Sequence, residues 1–459
     1  MKLGELLADL ECQLFDVDET EEITSICSDS RLATEKGIFV CIKGSERDGH
    51  DFARHAAARG SVILSEKHVE GARCVVVRDT RRANSSVNSN FYGRPQKGMR
   101  MIAVTGTNGK TSVCAYLRAI LRCAGIKTGI MGTLGIMAED EVLEIRESET
   151  EDIPAAMTTP DPACIYKALY EMKSRGIEAV VMEASSHAIA QKKLDPIEFE
   201  VGGFTNLSSE HLDFHGSMEE YFKTKASLFE RCRLAVVNRD DEFGKRLLEM
   251  YPESVGVSAP SGINFDFTLQ NTVLAAEIAR RMGIDDIYIK NGIENIKSIP
   301  GRMEQILSLQ DAGFDAYIDY AHTPYAMETV LRSLCRRAVG RRITVVFGCG
   351  GDRDKSKRAE MGRVASMYAD RVIVTSDNPR REDPMAIIGD ILSGISCMDN
   401  IECIPSRRDA ITKAVESAEY GDILLLLGKG HEQYEIDRRG KHPFSESAIL
   451  RECAQRRAK

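Results

Sequence analysis

The sequence predicts an α/β protein of three domains: a small N-terminal α/β unit, a central P-loop-type unit on a parallel sheet, and a C-terminal Rossmann-like unit. Three observations lead there. The 459 residues exceed what one core organises and fit about three domains. An apolar run at 101–104 enters a glycine-rich turn that opens a helix. From Gly301 the alternation of strand-like and helix-like segments starts afresh.

Each unit is legible in order. Over 1–97, apolar runs at 37–42, 62–64 and 74–77 alternate with glycine and charged turns. A helix expected at 80–92 is followed by a linker at 93–98, whose glycines and Pro95 cannot continue it. Over 98–300, the first strand leads to a helix with Val113, Leu117, Ile120 and Leu121 on one face, ended by Gly125. Strands are expected at 179–182, 203–205 and 234–237, with helices between them, which implies a mostly parallel sheet. Over 301–459, strands at 316–318, 343–347, 372–375 and 423–427 imply a second parallel sheet. No internal repeat or low-complexity tract interrupts this plan.

Composition narrows the function. Hydrophobic residues at 43% and charged residues at 29% are those of an ordinary globular enzyme. With 61 basic and 70 acidic side chains the net charge is −9, so nucleic acid and anionic membrane are not expected partners. Any anionic substrate must be held by local positive groups. Residues 1–14 lack the basic start and apolar stretch of an export signal, and the longest apolar run, 423–427, is far too short to span a bilayer. A cytoplasmic location without membrane insertion is expected. The thirteen cysteines include no Cys-x-x-Cys pair, which argues against a zinc ribbon; they are expected to be buried thiols in a reducing compartment.

The strongest chemical signal is Thr105-Gly106-Thr107-Asn108-Gly109-Lys110-Thr111, followed by Ser112. Glycines let successive backbone N–H groups curl around phosphate oxygens, and the helix start adds a positive dipole end. Lys110 would reach the β and γ phosphates and the Thr111 hydroxyl would hold magnesium. Val104 stands where the full P-loop spacing has glycine. A turn that merely caps a helix is the competing reading, but Gly-Lys-Thr straight after an apolar strand is hard to explain by turn chemistry alone. His211 and His215 flank Asp213 at a spacing that on a helix puts both imidazoles on one face. A zinc hydrolase would need glutamate where Leu212 stands, so either magnesium chemistry or two structural histidines remains.

Several further motifs occur in a fixed order: Met182-Glu183-Ala184-Ser185-Ser186-His187, Thr205-Asn206-Leu207, His211-Leu212-Asp213-Phe214-His215, Pro300-Gly301-Arg302-Met303-Glu304, Asp319-Tyr320-Ala321-His322-Thr323-Pro324 and Gly348-Cys349-Gly350-Gly351-Asp352-Arg353. With the phosphate loop they resemble the Mur ligases over nearly the whole chain, and the loop also resembles that of the folylpolyglutamate synthetases. The resemblance implies an ATP-dependent acid–amino-acid ligase of cytoplasmic peptidoglycan synthesis, working through an acyl phosphate and releasing ADP and phosphate. It implies that Gly106, Thr107, Asn108, Gly109, Lys110, Thr111, Ser112, Asn271, Arg302 and His322 hold ATP. Two Mg2+ ions are implied, one on Thr111 and Glu183 and one on His211. Lys225 matches the lysine that the family carries as a carbamate able to bind metal; read without the family it is a helix-surface lysine. Lys110, Glu183, His211 and Lys225 are thus the implied catalytic set. The stretch before Asn271, Asp266 to Gln270, departs from the family pattern.

The same resemblance assigns the recipient end. Ser28 and Ser30, in Ser28-Asp29-Ser30-Arg31, match the loop for the uridine diphosphate end of a UDP-N-acetylmuramoyl dipeptide, while Thr158, Thr159, Ser185, Gln191 and Lys193 match contacts to the muramoyl dipeptide. Many members carry arginine at the position of Lys193, and a lysine cannot grip an anion with two parallel N–H bonds. Asp377, Asn378, Pro379 and Arg380 follow a predicted strand, where a parallel sheet presents its binding edge. Arg380 can hold a carboxylate that the tail of a lysine substrate lacks, so meso-diaminopimelate is the expected amino acid. Gly428, Arg358 and Glu432 complete that set, with Glu432 pairing the far amino group. An ion pair from Arg380 to Glu382 or Asp383 is the plainer alternative. A monomer is expected. A lysine-adding ligase, a folylpolyglutamate-synthetase-like ligase and a P-loop binding module without catalysis are the other functions the sequence allows.

Overall fold

Runs rich in valine, isoleucine and leucine form the strands, and the amphipathic stretches between them form helices that cover both faces. The structure is a computed structural model and describes residues 1–44, 47–145, 157–260, 267–306 and 313–457. The chain divides into two compact units, Met1–Ala259 with Gln270–Asn295, and Pro260–Leu269 with Ile296–Lys459.

The first unit holds two sheets. The N-terminal one comprises β1 (Cys12–Phe15), β2 (Ser25–Cys27), β3 (Gly37–Val40), β4 (Val62–Ser65) and β5 (Cys74–Val77) in the order β1-β5-β4-β3-β2. Only β1 runs antiparallel. The helix Thr80–Phe91 follows, and its end at Gly93 and Arg94, both with positive φ, agrees with the expected break. The break is packed: Gln96 is buried and donates to Ser89 Oγ at 2.8 Å and to the Pro196 carbonyl at 3.3 Å.

The central sheet comprises β6 (Arg100–Thr105), β7 (Thr128–Gly132), β8 (Gly135–Ala138), β9 (Glu141–Val142), β10 (Ala179–Glu183), β11 (Phe199–Phe204), β12 (Cys232–Asn238) and β13 (Val255–Val257). Its order is β13-β12-β11-β6-β10-β7-β8-β9, parallel except for the β7-β8-β9 meander. β6 sits between β10 and β11, so the segments leaving its carboxyl end meet those leaving both neighbours. In the helix Lys110–Cys123, the face expected from periodicity is the buried one: Val113, Leu117, Ile120 and Leu121 are fully enclosed, and Gly125 adopts φ +79° just beyond the end.

The second unit holds β14 (Glu304–Gln305), β15 (Asp315–Asp319), β16 (Ile343–Phe347), β17 (Arg371–Val374), β18 (Ile401–Cys403) and β19 (Ile423–Leu427) in the order β14-β15-β19-β16-β17-β18, with β14 alone antiparallel. The hairpin β20 (Tyr434–Asp437) and β21 (Gly440–Pro443) stands apart from that sheet and has no counterpart in the sequence reading.

One expectation is corrected. Of the thirteen cysteines, Cys397 and Cys403 are exposed, and Cys12, Cys123, Cys164, Cys232 and Cys335 are only partly covered. A residue type that favours interiors still sits on surface strands and turns when nothing there excludes it. The departure before Asn271 falls partly on 261–266, outside the described residues. Among the described residues no helix is long and apolar enough to cross a membrane.

Candidate functional site

At the end of β6 the chain turns through Gly106 (φ +144°) and Gly109 (φ +85°) into the helix that begins at Lys110. Both glycines are required sterically. A Cβ at Gly106 would lie 1.8 Å from Thr205 Oγ1, and one at Gly109 would lie 2.3 Å from Asn271 Oδ1. The loop is braced from β11: Asn108 N–H donates to Asn206 Oδ1 at 3.0 Å, Thr107 N–H donates to the Asn206 carbonyl at 2.8 Å, and Thr205 Oγ1 donates to the Asn108 carbonyl at 2.6 Å. Lys110 folds over the loop, its Nζ 3.0 Å from the Gly106 carbonyl and 2.9 Å from that of Thr107. Thr111 and Ser112 are buried in the first helical turn, as is Asn271 beside the loop.

Glu183, the last residue of β10, is 1% exposed and pairs in register with Val104. Its Oε2 accepts from Thr111 Oγ1 at 3.1 Å and from Thr133 Oγ1 at 3.1 Å, while Oε1 accepts the Thr133 N–H at 2.8 Å. Thr133 is absent from the residues expected from sequence. Its signal was weak, a single threonine after β7, but every parallel strand flanking a phosphate loop delivers its next residue to the same edge. Thr159 and Ser185 interlock beside Glu183: Thr159 Oγ1 donates to the Glu183 carbonyl at 2.7 Å and accepts the Ser185 N–H at 3.0 Å. Thr158 lies 3.3 Å from Thr133 Oγ1, and Ser185 caps the helix Ser186–Ala190.

Lys225 corrects its reading as a surface lysine. It is 1% exposed, and its Nζ donates to the Gly106 carbonyl at 2.8 Å. Burial first, and then the nearby Lys110, push its amine well below the usual lysine value. His211 and His215 do not share a helix face, because His211 precedes the short helix Leu212–His215 in left-handed backbone at φ +56°. Their rings lie 4.8 Å and 5.7 Å from that of His187, and His215 stacks on Tyr221 at 4.7 Å. Burial, followed by the neighbouring imidazole, pushes His187 and His215 down to about 4, so both are neutral at physiological pH. Desolvation also lowers His211. Among the described residues no group of three or more His, Cys, Asp or Glu side chains is arranged to hold a metal ion on its own.

A cleft of about 200 Å³ is lined by Ser28, Gln191 and Lys193 together with Arg81, Asn84, Asn88 and Asp161. The Lys193 ammonium is 2.6 Å from the Asp161 carboxylate. Ser30 is buried in the short turn Ser30–Leu32 and is not among the lining residues. Arg81, Asn84 and Asn88 were missed, although their spacing by three and four along the helix Thr80–Phe91 places them on one stripe.

In the second unit, Asp377, Asn378, Pro379 and Arg380 follow β17, and Gly428 to Glu432 follow β19. Asn378 Nδ2 donates to Glu432 Oε2 at 2.8 Å. Arg380 has φ +53°, and its Nη1 donates to the Gly351 carbonyl at 2.8 Å. Among the described residues it forms no ion pair, so the alternative with Glu382 or Asp383 does not occur. Glu382 pairs with Arg358 instead, at 2.8 Å, and Arg358 also reaches Asp390 at 2.8 Å. With 1% of its side chain exposed, Arg358 braces the loops through Glu382, Asp390 and the Gly350 carbonyl. Burial, then Asp377, raise the Glu432 carboxyl above its ordinary value. Arg302 lies over the Tyr320 ring at 4.9 Å. His322 Nδ1 donates to the Tyr320 carbonyl at 2.8 Å.

A phosphate loop braced by one strand and faced by a buried carboxylate from another suits nucleotide-driven group transfer, and comparison with known proteins agrees. The family model described as the Mur ligase middle domain matches residues 104–274, and that described as the Mur ligase, glutamate ligase domain, matches 301–430. The UDP-N-acetylmuramoyl-L-alanyl-D-glutamate–2,6-diaminopimelate ligase of Clostridium botulinum is 35% identical, with 98% of this chain and 99% of the relative covered. A solved structure of an enzyme of that name superposes with a TM-score of 0.68 at 28% identity, covering 100% of this chain and 99% of the other. A Mycobacterium tuberculosis folylpolyglutamate synthase complexed with ADP and AMPPCP shares the fold, with a TM-score of 0.59 at 19% identity over 76% of this chain and 92% of its own. Matches to both family models and over the full length of curated relatives leave one conclusion, that the chain belongs to the Mur ligase family.

Proposed function

We propose that this protein joins meso-diaminopimelate to the D-glutamate of UDP-N-acetylmuramoyl-L-Ala-D-Glu, consuming ATP, in peptidoglycan synthesis. The observation that carries the amino-acid choice is the occurrence together of Arg380, which has no carboxylate partner among the described residues, and Glu432, held through Asn378. A guanidinium suits the distal carboxylate of diaminopimelate and an acid suits its distal ammonium. The full-length relatives named for that substrate support the same reading.

The reaction follows from the residues. The phosphate loop and Lys110 hold the terminal phosphates, and the precursor carboxylate attacks the γ-phosphorus, displacing ADP and giving an acyl phosphate. The amine of the amino acid then attacks the acyl carbon, loses a proton and expels phosphate, leaving the amide. Ser28, Gln191 and Lys193 hold the UDP-precursor in their cleft, and Thr158, Thr159 and Ser185 orient its peptide end toward Glu183. Asn271, Arg302 and His322 are further proposed ATP contacts.

Magnesium fits a pair such as Thr111 and Glu183, because Mg2+ takes few protein oxygens and completes its shell with phosphate and water. When bound it neutralises phosphate charge. His211 is the proposed side chain for a second ion. The enclosed Lys225 amine, held by burial well below the usual lysine value, suits carbamate formation, which needs an unprotonated nitrogen. We further propose domain boundaries at 97/98 and 300/301, a cytoplasmic monomer, and a role in cell-wall growth and hence cell shape and division.

Incubating the protein with ATP, the UDP-dipeptide and an equimolar mixture of meso-diaminopimelate and L-lysine, then weighing the products by mass spectrometry, tests this. The diaminopimelate adduct should dominate. Equal lysine adduct would remove the specificity, transfer of glutamate to a folate would move the chain to the synthetase reading, and ATP binding without any adduct would leave a binding module.

A further inference from the structure

Lys429 is 0% exposed and lies in the segment that links β19 to the hairpin. A buried ammonium is retained only where partners replace its water. Its three N–H groups find three acceptors: Asn378 Oδ1 at 3.0 Å, the Tyr434 carbonyl at 2.8 Å and Asp377 Oδ1 at 3.4 Å. Glu432 Oε2 stands 3.7 Å away and the Phe444 ring 5.5 Å away. With its donors engaged, Lys429 is equipped to arrange the groups that bind a ligand and has no hydrogen left to bind one itself.

The consequence falls on Asn378. Its Oδ1 accepts from Lys429 and also from the Ile436 N–H at 2.9 Å, so two donors converge on one end of the amide. A flipped amide would aim N–H groups at an ammonium and another N–H. The observed orientation is therefore enforced, and it directs Nδ2 to Glu432 Oε2. Beneath this, Arg407 ties the two ligand-facing loops together, donating to the Ser376 carbonyl at 3.2 Å and the Leu427 carbonyl at 2.8 Å while paired with buried Glu446. Lys429 is also the cation shared by Asp377 and Glu432, two acids converging on one site. Two carboxylates against one ammonium leave one negative charge beside the Arg380 guanidinium, which matches the ammonium and carboxylate at the far end of an incoming diamino diacid.

We propose that Lys429 is a positioning residue for the amino-acid substrate: it fixes the Asn378 amide and keeps Asp377 and Glu432 together as anions that receive the substrate ammonium. This rests on the reading of the Asn378, Arg380 and Glu432 cluster as the amino-acid site. The charged and titratable groups facing Glu432 are Asp377 and Arg380 from the segment after β17, Lys429 from its own segment, Tyr434 of the hairpin and Tyr320 after β15. Removing the ammonium leaves like charges less compensated, so Glu432 holds its proton to higher pH.

The experiment is steady-state kinetics of the full-length protein, wild type, Lys429→Met and Lys429→Arg, with each of the three substrates varied in turn. For Lys429→Met the KM for diaminopimelate should rise about tenfold or more, with the KM for ATP and for the UDP-dipeptide within about twofold. The acid limb of kcat/KM for diaminopimelate should move to higher pH, and Lys429→Arg should recover part of both effects. A folded Lys429→Met with unchanged diaminopimelate KM, or with all three KM values raised together, overturns the proposal. If the methionine variant does not fold, Lys429→Gln, which keeps an N–H donor for Asn378 Oδ1 but no charge, replaces it with the same expectations, and an unchanged diaminopimelate KM overturns the proposal. Should the wild type use L-lysine in place of diaminopimelate, the specificity reading fails while the same comparison, run with lysine, still decides the role of Lys429.

Discussion

Lys225 Nζ donates to the carbonyl of Gly106 at 2.8 Å across 119 residues of sequence, which puts a fully enclosed amine against the phosphate loop. An amine so placed is shielded from bulk water. Replacing it with alanine should lower amide formation by about a hundredfold or more, the range for losing a preorganised electrostatic group. Depleting carbon dioxide from the assay should inhibit the wild type, and bicarbonate should restore it. Unchanged turnover in either arm refutes the carbamate.

Lys110 spans the mouth of its loop through the carbonyls of Gly106 and Thr107. Lys110→Ala should reduce kcat/KM for ATP by about a hundredfold to a thousandfold, with UDP-dipeptide affinity measured by calorimetry nearly unchanged. Full activity would mean that the loop does not hold the transferred phosphate.

Among the described residues Thr133 gives the Glu183 carboxylate two of its three hydrogen bonds, one from backbone and one from side chain. Thr133→Val keeps the backbone bond and removes the hydroxyl. The Mg2+ concentration for half-maximal rate should rise by about tenfold, as when a partner that orients a ligand carboxylate is lost. A magnesium titration that superposes on that of the wild type would rule out this dependence.

Arg380 has no carboxylate partner in the described structure, so its removal costs little stability and mainly affects ligand affinity. Arg380→Ala should raise the KM for diaminopimelate by about tenfold to a hundredfold. Arg380→Lys should not restore it, since an ammonium lacks the planar fork. An alanine variant with an altered melting temperature and an unaltered KM would make Arg380 structural.

Glu382 is pushed down to about 2, chiefly by the hydrogen bonds from Arg358. The folded value lies below the ordinary 4.5, so the unfolded chain binds the extra proton first. Stability from this pair is complete above about pH 4.5 and is lost as pH falls toward 2. Urea denaturation over that window should show a steeper acid decline for the wild type than for Glu382→Gln, and parallel curves would contradict the linkage.

The glycine-rich turn before Lys110, the helix face of Val113, Leu117, Ile120 and Leu121, and the mostly parallel character of both larger sheets were readable from the sequence. Each depends on local rules: glycine conformational freedom, periodicity, and the need of apolar β-branched runs for cover on both faces. Strand ends shifted by a residue or more, as with β11, which extends back to Phe199 from an expected start at Gly203, because polar and charged residues pair along a ladder as well as apolar ones do.

What the linear chain determined by itself was therefore the class of fold, the glycine-rich turn between β6 and its helix, and the family to which its motifs belong. The tertiary structure alone decided that Lys225 is enclosed, that Arg358 is committed to Glu382 and Asp390, that Thr133 grips Glu183, and that Lys429 sits beneath Asn378 and Glu432. Burial and charge partnership are properties of segments brought together from distant parts of the chain, and no local pattern encodes which lysine will meet water and which will meet a carboxylate.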